Sequence, residues 1–265
     1  MKKIRLDKLL VKNNYFESRS KAQFYIEAGA INVNGVVVTK KSTQVNEDDD
    51  ISIIYDACPY VSKGGLKLEK AIKHFKLDFA NKDILDIGAS TGGFTDCALK
   101  HGARHVTAID VGVDQLVIKL KNNSKVYSIE NFNLKNISTN TFNKKFHFVV
   151  TDVSFISLKH VFKILDFVLD KKGIFVPLIK PQFELGKDST KRGIIRSKNM
   201  HKYAIKSVVD YAKCYGYSLK NLTYSPIKGT SGNIEFLALF VKDSFDKDNN
   251  VMINQVVNKV HKELK

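Results

Sequence analysis

The fold class follows from one segment, Asp83-Ile84-Leu85-Asp86-Ile87-Gly88-Ala89-Ser90-Thr91-Gly92-Gly93-Phe94. Its first five residues predict a β-strand, the glycines predict a tight turn, and a helix opens after the turn. Glycines at such a turn let the backbone approach a bound nucleoside closely. A strand, a glycine turn and a helix in this order indicate a cofactor site in a parallel α/β sheet.

An acidic residue follows the second predicted strand, where a ribose would bind. Asp110 lies 22 positions beyond Gly88, and its carboxylate can accept hydrogen bonds from ribose hydroxyls. Ser90 replaces the second glycine of the dinucleotide pattern, and Asp86 stands just before the turn. Both features favour a cofactor without phosphate, such as S-adenosylmethionine. The candidate cofactor-binding residues are Asp86, Gly88, Ala89, Ser90, Thr91, Gly92, Gly93, Phe94, Asp110, Glu130, Asn133 and Asp152.

Strand and helix patterns alternate on both sides of this segment. Strands are predicted at 83–87, 105–110, 125–129, 146–152, 173–179, 218–225 and 234–241. Helices are predicted at about 65–76, 157–169, 199–214 and 250–264. Alternation of this kind is typical of an α/β domain with a mostly parallel sheet, here of seven strands.

Residues 1–58 have a different pattern and predict a small α+β domain. Ile4, Leu6 and Leu9 mark a short helix, and Ser18 or Ser20 can cap a second helix that ends at Gly29. Asn34-Gly35 predicts a hairpin turn, and a last strand is predicted at 51–55. We expect residues 59–63 to be a linker and residues 64–265 to form the larger domain.

Composition excludes several classes of protein. The 43 Lys and Arg residues outnumber the 27 Asp and Glu residues, which gives a net charge of +16 and makes nucleic acid the leading partner and an acidic membrane surface the second. The three cysteines are far apart, which argues against a disulfide scaffold or zinc ribbon. His101 and His105 have no acidic ligand nearby, so no metal site is predicted.

No apolar run approaches the roughly 18–20 residues of a spanning helix, and no signal peptide is present, so we expect a cytoplasmic protein.

Seven segments together resemble the TlyA family, whose members combine an S4 RNA-binding domain with an FtsJ-like methyltransferase domain. Two S4-type segments are Arg5-Leu6-Asp7-Lys8-Leu9-Leu10 and Ser18-Arg19-Ser20-Lys21-Ala22. The FtsJ-like cofactor loop is Asp86-Ile87-Gly88-Ala89-Ser90-Thr91-Gly92-Gly93-Phe94-Thr95-Asp96. The remaining segments are Tyr60-Val61-Ser62-Lys63-Gly64-Gly65-Leu66-Lys67-Leu68, Asp152-Val153-Ser154-Phe155-Ile156-Ser157-Leu158, Lys180-Pro181-Gln182-Phe183-Glu184 and Gly232-Asn233-Ile234-Glu235-Phe236-Leu237.

The resemblance implies a Rossmann-like, class I S-adenosylmethionine-dependent methyltransferase that modifies the ribose 2′-oxygen, cytidine being the expected nucleoside, of ribosomal RNA in ribosomal subunits. It also implies a catalytic tetrad, which is Lys67, Asp152, Lys180 and Glu235. Asp152 and Lys180 follow apolar strands, at the edge where open α/β sheets bind ligands. Lys180 is the candidate base, and the two carboxylates are expected to orient the amines and the ribose.

The candidate RNA-binding residues are basic and lie in two regions. Arg5, Lys8, Arg19 and Lys21 belong to the S4-type domain. Lys63 stands where the family more often has Arg, so it keeps the charge without the bidentate fork. The segment 181–198 contributes Lys187, Lys191, Arg192 and Arg196, and we expect it to lie over the substrate cleft and to be mobile without RNA.

Other functions remain open at this point. The family also carries the name haemolysin, and the basic amphipathic tail could lie on anionic lipid, so a membrane-active protein is one alternative. A non-catalytic ribosome-assembly factor is another. A base methyltransferase would need an Asn-Pro-Pro-Tyr-like or cysteine motif, which Asp152-Val153-Ser154-Phe155 is not. S4 domains also precede pseudouridine synthases, but the cofactor loop argues against that class. The oligomeric state is not predicted.

Overall fold

The computed structural model describes residues 3–16, 18–27, 29–53, 58–186, 193–229, 231–243 and 248–263. The chain divides into two compact units, Met1–Lys63 and Gly64–Lys265. Each unit has its own hydrophobic core, so each is described separately.

The first unit is a small α+β fold. Its elements are β1 (Ile4–Arg5), α1 (Leu6–Lys12), α2 (Arg19–Glu27), β2 (Ile31–Val33), β3 (Val36–Val38), β4 (Gln44–Val45) and β5 (Ile51–Ile53). The prediction that Ile4 belongs to the first helix is wrong, because Ile4 pairs with Val45 in a short antiparallel ladder. Ser18 rather than Ser20 caps α2, since its Oγ accepts from the backbone N–H of Lys21 at 3.2 Å. Residues 54 and 55 of the predicted last strand lie outside the described residues.

The predicted hairpin joins β2 and β3. Asn34 and Gly35 have φ values of +52° and +82°, the combination that a type I′ turn requires. Strand β2 then pairs with β3 on one side and with β5 on the other, both antiparallel. Leu6, Leu9 and Leu10 of α1 pack with α2 and this sheet to form the core.

The second unit contains a seven-stranded sheet. Its strands are β6 (Asp83–Ile87), β7 (His105–Ile109), β8 (Val126–Ile129), β9 (Phe146–Thr151), β10 (Leu169–Ile179), β11 (Tyr217–Tyr224) and β12 (Phe236–Lys242). They lie in the order β11-β12-β10-β9-β6-β7-β8; β12 pairs antiparallel with both β10 and β11, and the other neighbouring pairs are parallel. The predicted mostly parallel seven-stranded sheet is therefore confirmed.

Helices cover this sheet. They are α3 (Gly64–Phe75), α4 (Gly93–Lys100), α5 (Ile118–Lys121), α6 (Lys159–Val168), α7 (Pro181–Glu184), α8 (Lys198–Cys214) and α9 (Asn250–Glu263). Strand β10 begins earlier than predicted because Leu169 pairs with Phe146, and α6 accordingly ends at Val168. Residues 181–184, predicted as part of a loop, form a short helix with Pro181 in its first turn.

The sheet topology sets the position of the functional site. All five residues of β6 are buried, as expected for a central parallel strand covered on both faces. Parallel strands β6, β9 and β10 end at the same edge of the sheet. Because β12 is antiparallel to β10, its first residue lies at that edge too. Side chains at the ends of β9 and β10 and at the start of β12 are thus brought together.

Candidate active site

Four charged side chains meet at the carboxyl edge of the sheet. Lys67 Nζ, from the first turn of α3, donates to Glu235 Oε2 at 2.7 Å and lies 3.5 Å from Asp152 Oδ2. Lys180 Nζ forms an ion pair with Asp152 Oδ1 at 2.7 Å. Asp152 directly follows β9 and Lys180 directly follows β10. Glu235, predicted to begin the last strand, instead immediately precedes β12. The structure therefore brings all four predicted catalytic residues into one chain of contacts.

Three members of this cluster are buried, and Asp152 is half-buried. Lys67 and Lys180 are each 8% exposed and Glu235 is 3% exposed. Burial favours the neutral form of Lys67, but Asp152 and Glu235 outweigh it, so the pKa of Lys67 is raised. Burial likewise opposes ionisation of Asp152, but Lys67 and Lys180 outweigh it and lower the pKa of Asp152. Both groups are therefore held in their charged forms.

Ser154 is a further member of the cluster that sequence reasoning did not select. Its Oγ accepts from Lys180 Nζ at 2.9 Å. Serine in a loop carries no signal of its own, although its place two residues after Asp152 could have suggested it. Lys180 thus contacts one carboxylate and one hydroxyl, whereas Lys67 contacts two carboxylates.

An exposed aromatic residue stands next to Ser154. Phe155 is 91% exposed, and its φ of +62° is uncommon for a bulky side chain. Its ring centroid lies 5.0 Å from that of Phe183, which follows Lys180 by three residues. The site therefore presents an aromatic face on which a nucleobase could stack. Sequence patterns gave no indication of this, because an apolar residue in a loop is usually buried.

The glycine turn packs directly against Asp152, the residue that contacts both Lys67 and Lys180. Gly88 has a φ of +81°, and a Cβ atom there would lie 3.0 Å from Val153 Cγ1 and 3.3 Å from the carbonyl oxygen of Asp152. Only glycine fits this position without displacing the neighbouring loop. Ser90 also has a positive φ of +47°, and its N–H donates to Asp110 Oδ2 at 2.8 Å. Asp110 Oδ1 accepts from the N–H of Gly112 at 2.7 Å.

The turn carries an excess of negative charge that fits a cationic cofactor. Asp86 is fully buried, and its Oδ2 accepts from Thr95 Oγ1 at 2.7 Å. Within the described part of the chain, Asp86 Oδ1 has no hydrogen-bond partner. Burial, with the charges of Asp152 and Asp110, raises the pKa of Asp86 to about 7. A sulfonium or ammonium group at this turn would stabilise these carboxylates, and S-adenosylmethionine carries both.

The remaining predicted cofactor residues of the glycine turn lie between β6 and the first turn of α4. Ala89 N–H donates to the carbonyl oxygen of Ile109 at 3.1 Å, and Thr91 is exposed. Gly92, with a φ of +96°, caps α4, whose first residues Gly93 and Phe94 are buried. The glycine turn is thus fixed between the end of β7 and the start of α4.

Glu130 and Asn133 are engaged in local structure. Glu130 accepts from the backbone N–H groups of Asp114, Gln115 and Leu116 at 2.9, 3.1 and 3.3 Å, and from Lys121 Nζ at 3.0 Å. Lys121 and the N–H groups of Asp114 and Leu116 keep the pKa of Glu130 below its usual value, although burial opposes them. Asn133 is exposed and caps a 3₁₀ turn through the N–H of Lys135. Glu130 therefore shapes the loop that follows Asp110.

In the first unit, a buried aspartate organises two of the predicted RNA-binding residues. Asp7 is fully buried and accepts from Arg5 Nε at 3.0 Å, and from a terminal guanidinium nitrogen of Arg5 and of Arg19 at 2.9 Å each. Burial opposes ionisation of Asp7, but these guanidinium groups and Gln23 hold its pKa well below its usual range. Sequence reasoning missed Asp7, because its partners lie up to 16 residues away.

The remaining predicted RNA-binding residues differ in their surroundings. Lys8, Lys21 and Arg196 are exposed. Lys63 Nζ forms an ion pair with Glu27 Oε2 at 2.6 Å. Lys187, Lys191 and Arg192 lie outside the described residues, and so does the central part of the segment that we expect to be mobile.

Replacing Asp7 by asparagine is expected to destabilise the first unit by about 2 kcal/mol at pH 7, because charged hydrogen bonds to two guanidinium groups are weakened. The folded-state pKa of Asp7 is lowered, so its contribution is present above the unfolded pKa near 4 and is lost as the pH falls below it. Hydrogen exchange of the α1 amides in the full chain, at pH 7 and pH 3, measures the stability of the first unit in the wild type and in the variant. Asp48→Asn, at an exposed site, is the control; an equal effect of both variants would contradict the expectation.

The sheet order, the glycine turn after β6, the acid after β7 and the antiparallel strand β12 define a Rossmann-like S-adenosylmethionine-dependent methyltransferase. Residues 60–242 match the FtsJ-like methyltransferase family, and residues 4–51 match the S4 domain. The chain belongs to the TlyA family of FtsJ-like methyltransferases with an N-terminal S4 domain.

Individual relatives agree with this assignment. The chain is 47% identical to Hemolysin A of Brachyspira hyodysenteriae, over 90% of this chain and 100% of the relative. It is 33% identical to the 16S/23S rRNA (cytidine-2′-O)-methyltransferase TlyA of Mycobacterium tuberculosis, over 93% and 92% of the two chains. A solved structure of a haemolysin-named protein from Streptococcus thermophilus superposes with a TM-score of 0.79 at 40% identity, over 99% of this chain and 97% of that one. Within the described residues, no helix is both long and apolar enough to cross a membrane.

Proposed function

We propose that this protein transfers a methyl group from S-adenosylmethionine to the 2′-oxygen of a cytidine ribose in ribosomal RNA. The observation that carries this proposal is the buried Lys67–Asp152–Lys180–Glu235 cluster beside the glycine turn. The names of relatives such as the cytidine-2′-O-methyltransferase of Mycobacterium tuberculosis support the substrate class.

The bound cofactor supplies an electrophilic methyl group, and the protein must supply position and a route for one proton. A ribose hydroxyl is a poor acid, so a side chain has to accept its proton as the new bond forms. The rest of the rate enhancement comes from holding the hydroxyl oxygen close to the methyl carbon. Asp86, Gly88, Ser90 and Asp110 are the residues we propose to hold the cofactor.

We propose that Lys180, as the neutral amine, accepts this proton and becomes an ammonium ion beside Asp152. Lys67 contacts two carboxylates and its pKa is raised, so it remains charged and cannot act as a base. Lys180 contacts one carboxylate and the hydroxyl of Ser154, which leaves it the better placed of the two amines. Asp152 contacts both amines and fixes their separation. Glu235 holds Lys67, so its role is to position the cluster rather than to react.

The first unit is proposed to recruit the substrate. S4-type domains bind structured RNA by shape and phosphate contacts, and Arg5 and Arg19 are already fixed side by side by Asp7. We propose an S4-type domain at residues 1–58, a linker at 59–63 and a methyltransferase domain at 64–265. Ribosomal subunits in the cytoplasm are the proposed substrate.

The decisive experiment maps 2′-O-methyl groups in ribosomal RNA from cells with and without this protein, and after incubation of purified subunits with the protein and S-adenosylmethionine. We expect one or more cytidines to be methylated only when the wild-type protein is present. A variant with Gly88→Val is the matched control, because its side chain would displace the turn from Val153. Tight RNA binding without any protein-dependent methylation would contradict the proposal and favour a non-catalytic binding protein.

A further inference from the structure

A cavity lies along α3, the helix that carries Lys67. This cavity, the α3 groove, has a volume of about 440 Å³ and is lined by Leu66, Glu69, Lys70, Lys73, His74 and Pro226. Leu66 precedes Lys67 in α3. Pro226 follows Ser225, whose N–H donates to the carbonyl oxygen of Glu235 at 2.8 Å. Two lining residues of the groove are therefore chain neighbours of Lys67 and of the residue that hydrogen-bonds the backbone of Glu235.

Lys70 is the central charge of the groove. Its Nζ lies 3.5 Å from the centroid of the Tyr224 ring, and its side chain is partly buried. Among the residues that the structure describes, no carboxylate lies within 4.0 Å of Lys70 Nζ. The acids that face the groove are engaged elsewhere: Glu69 pairs with Lys73 at 2.7 Å, and Glu263 accepts from the Tyr224 hydroxyl. Within the described ranges, Lys70 thus has an aromatic neighbour but no carboxylate in direct contact.

Charged residues of α9 also act on Lys70. Burial lowers the pKa of Lys70, the charge of Glu263 opposes this effect, and the smaller effect of Lys259 lowers the pKa further. The pKa of His74 is lowered by burial and by both Lys70 and Lys259. The lowered pKa of His74 favours its neutral form, so an anion in the groove would be attracted by the ammonium groups of Lys70 and Lys259.

We infer that the α3 groove binds a backbone phosphate of the substrate RNA close to the ribose that is methylated, an inference that rests on the proposed function. Because Leu66 is next to Lys67 and Pro226 is next to Ser225, an RNA strand with its ribose at Lys180 can pass a phosphate along this side of α3. A base is a poorer occupant, because Lys70 covers the Tyr224 ring that would otherwise stack on it. Lys70 is accordingly a substrate-positioning residue.

The test compares Lys70→Met with Lys125→Met, using purified bacterial ribosomal subunits without 2′-O-methylation as the probe. Methionine keeps the apolar contact of the lysine stem with Tyr224 but removes the charge. Lys125 is exposed at the start of β8, at the opposite edge of the sheet. We expect Lys70→Met to raise the Kd about tenfold and KM similarly, with kcat nearly unchanged. The slope of log K against log salt should fall by about 0.7–0.9. Lys70→Arg should retain most of the affinity.

Several outcomes would overturn the inference. One is an equal effect of Lys70→Met and Lys125→Met on affinity; another is a loss of affinity in Lys70→Met with an unchanged salt slope. Should Lys70→Met fail to fold, as judged by its S-adenosylmethionine affinity, Lys259→Met takes its place and must lower the salt slope. Failure of the proposed function is a separate result, since wild-type protein would then bind subunits without methylating them, and the binding measurements on the variants would still decide the role of the groove.

Discussion

Replacement of Lys180 by methionine is expected to lower kcat for methyl transfer by a factor of about 10²–10⁴, the usual contribution of a positioned general base. The change removes the amine that lies 2.7 Å from Asp152 Oδ1 and 2.9 Å from Ser154 Oγ. Binding of S-adenosylmethionine should change little, because the proposed cofactor residues belong to the turn after β6 and the loop after β7. Single-turnover methylation of ribosomal subunits and calorimetric titration of the cofactor measure the two quantities.

The Lys180→Arg variant distinguishes two roles for this side chain, that of a proton acceptor and that of a fixed positive charge. Arginine keeps the charge but does not lose its proton in proteins, so it should be as inactive as methionine if Lys180 accepts the proton. An active Lys180→Arg variant would show that the side chain acts through its charge alone. Lys125→Met is a suitable control for general effects of removing a lysine. Near-normal turnover of Lys180→Met would eliminate Lys180 as the base.

Replacement of Lys67 by methionine is expected to reduce the free energy of unfolding of the second unit by about 3–5 kcal/mol. The variant leaves Glu235, which is 3% exposed, without the amine that lies 2.7 Å from its Oε2. A buried carboxylate without a partner must either remain charged at high cost or take up a proton. Hydrogen exchange of the β6 and β9 amides in the full chain would report this loss.

The double variant Lys67→Met/Glu235→Gln tests the cause of that instability. Glutamine removes the buried charge, so the double variant should recover much of the stability that the single variant loses, although it should not recover activity. A purely additive loss would show that the two residues do not stabilise each other. Lys125→Met again provides the control, because its exposed side chain should affect stability by less than about 0.5 kcal/mol.

Sequence reasoning reached the fold because short segments rich in Ile, Leu, Val and Phe, such as Phe148-Val149-Val150 in β9 and Ile174-Phe175-Val176 in β10, alternate with helix patterns. Asp152 and Lys180 could be selected because each is a charged residue directly after such a run. Lys67 and Glu235 have no comparable local signal and were identified only through the resemblance to a known family. The structure supplies what joins them, which is contact across 85 and 168 residues of sequence.

Other features could not be predicted because they depend on contacts between residues that are distant in the sequence. Asp7 is an ordinary acid in the sequence, and only folding places two arginines on one of its oxygens. The α3 groove depends on Lys70 meeting Tyr224, a pair that no periodicity links. The helical spacing of apolar side chains predicts a helix at Ile4, but this residue pairs with the distant Val45 in a strand. Local patterns do not report partners that are distant in sequence.

The close packing of Gly88 against Val153 has a consequence for how the reaction is aligned. The turn proposed to cradle the donor and the loop that carries Asp152 leave adjacent parallel strands and touch within van der Waals distance. The proposed methyl donor and the ribose that accepts the methyl group are therefore both positioned by β6 and β9. The hydrogen bonds between these two strands thus set the distance between donor and acceptor. Any bulk inserted at residue 88 would lengthen the path that the transferred carbon must cross.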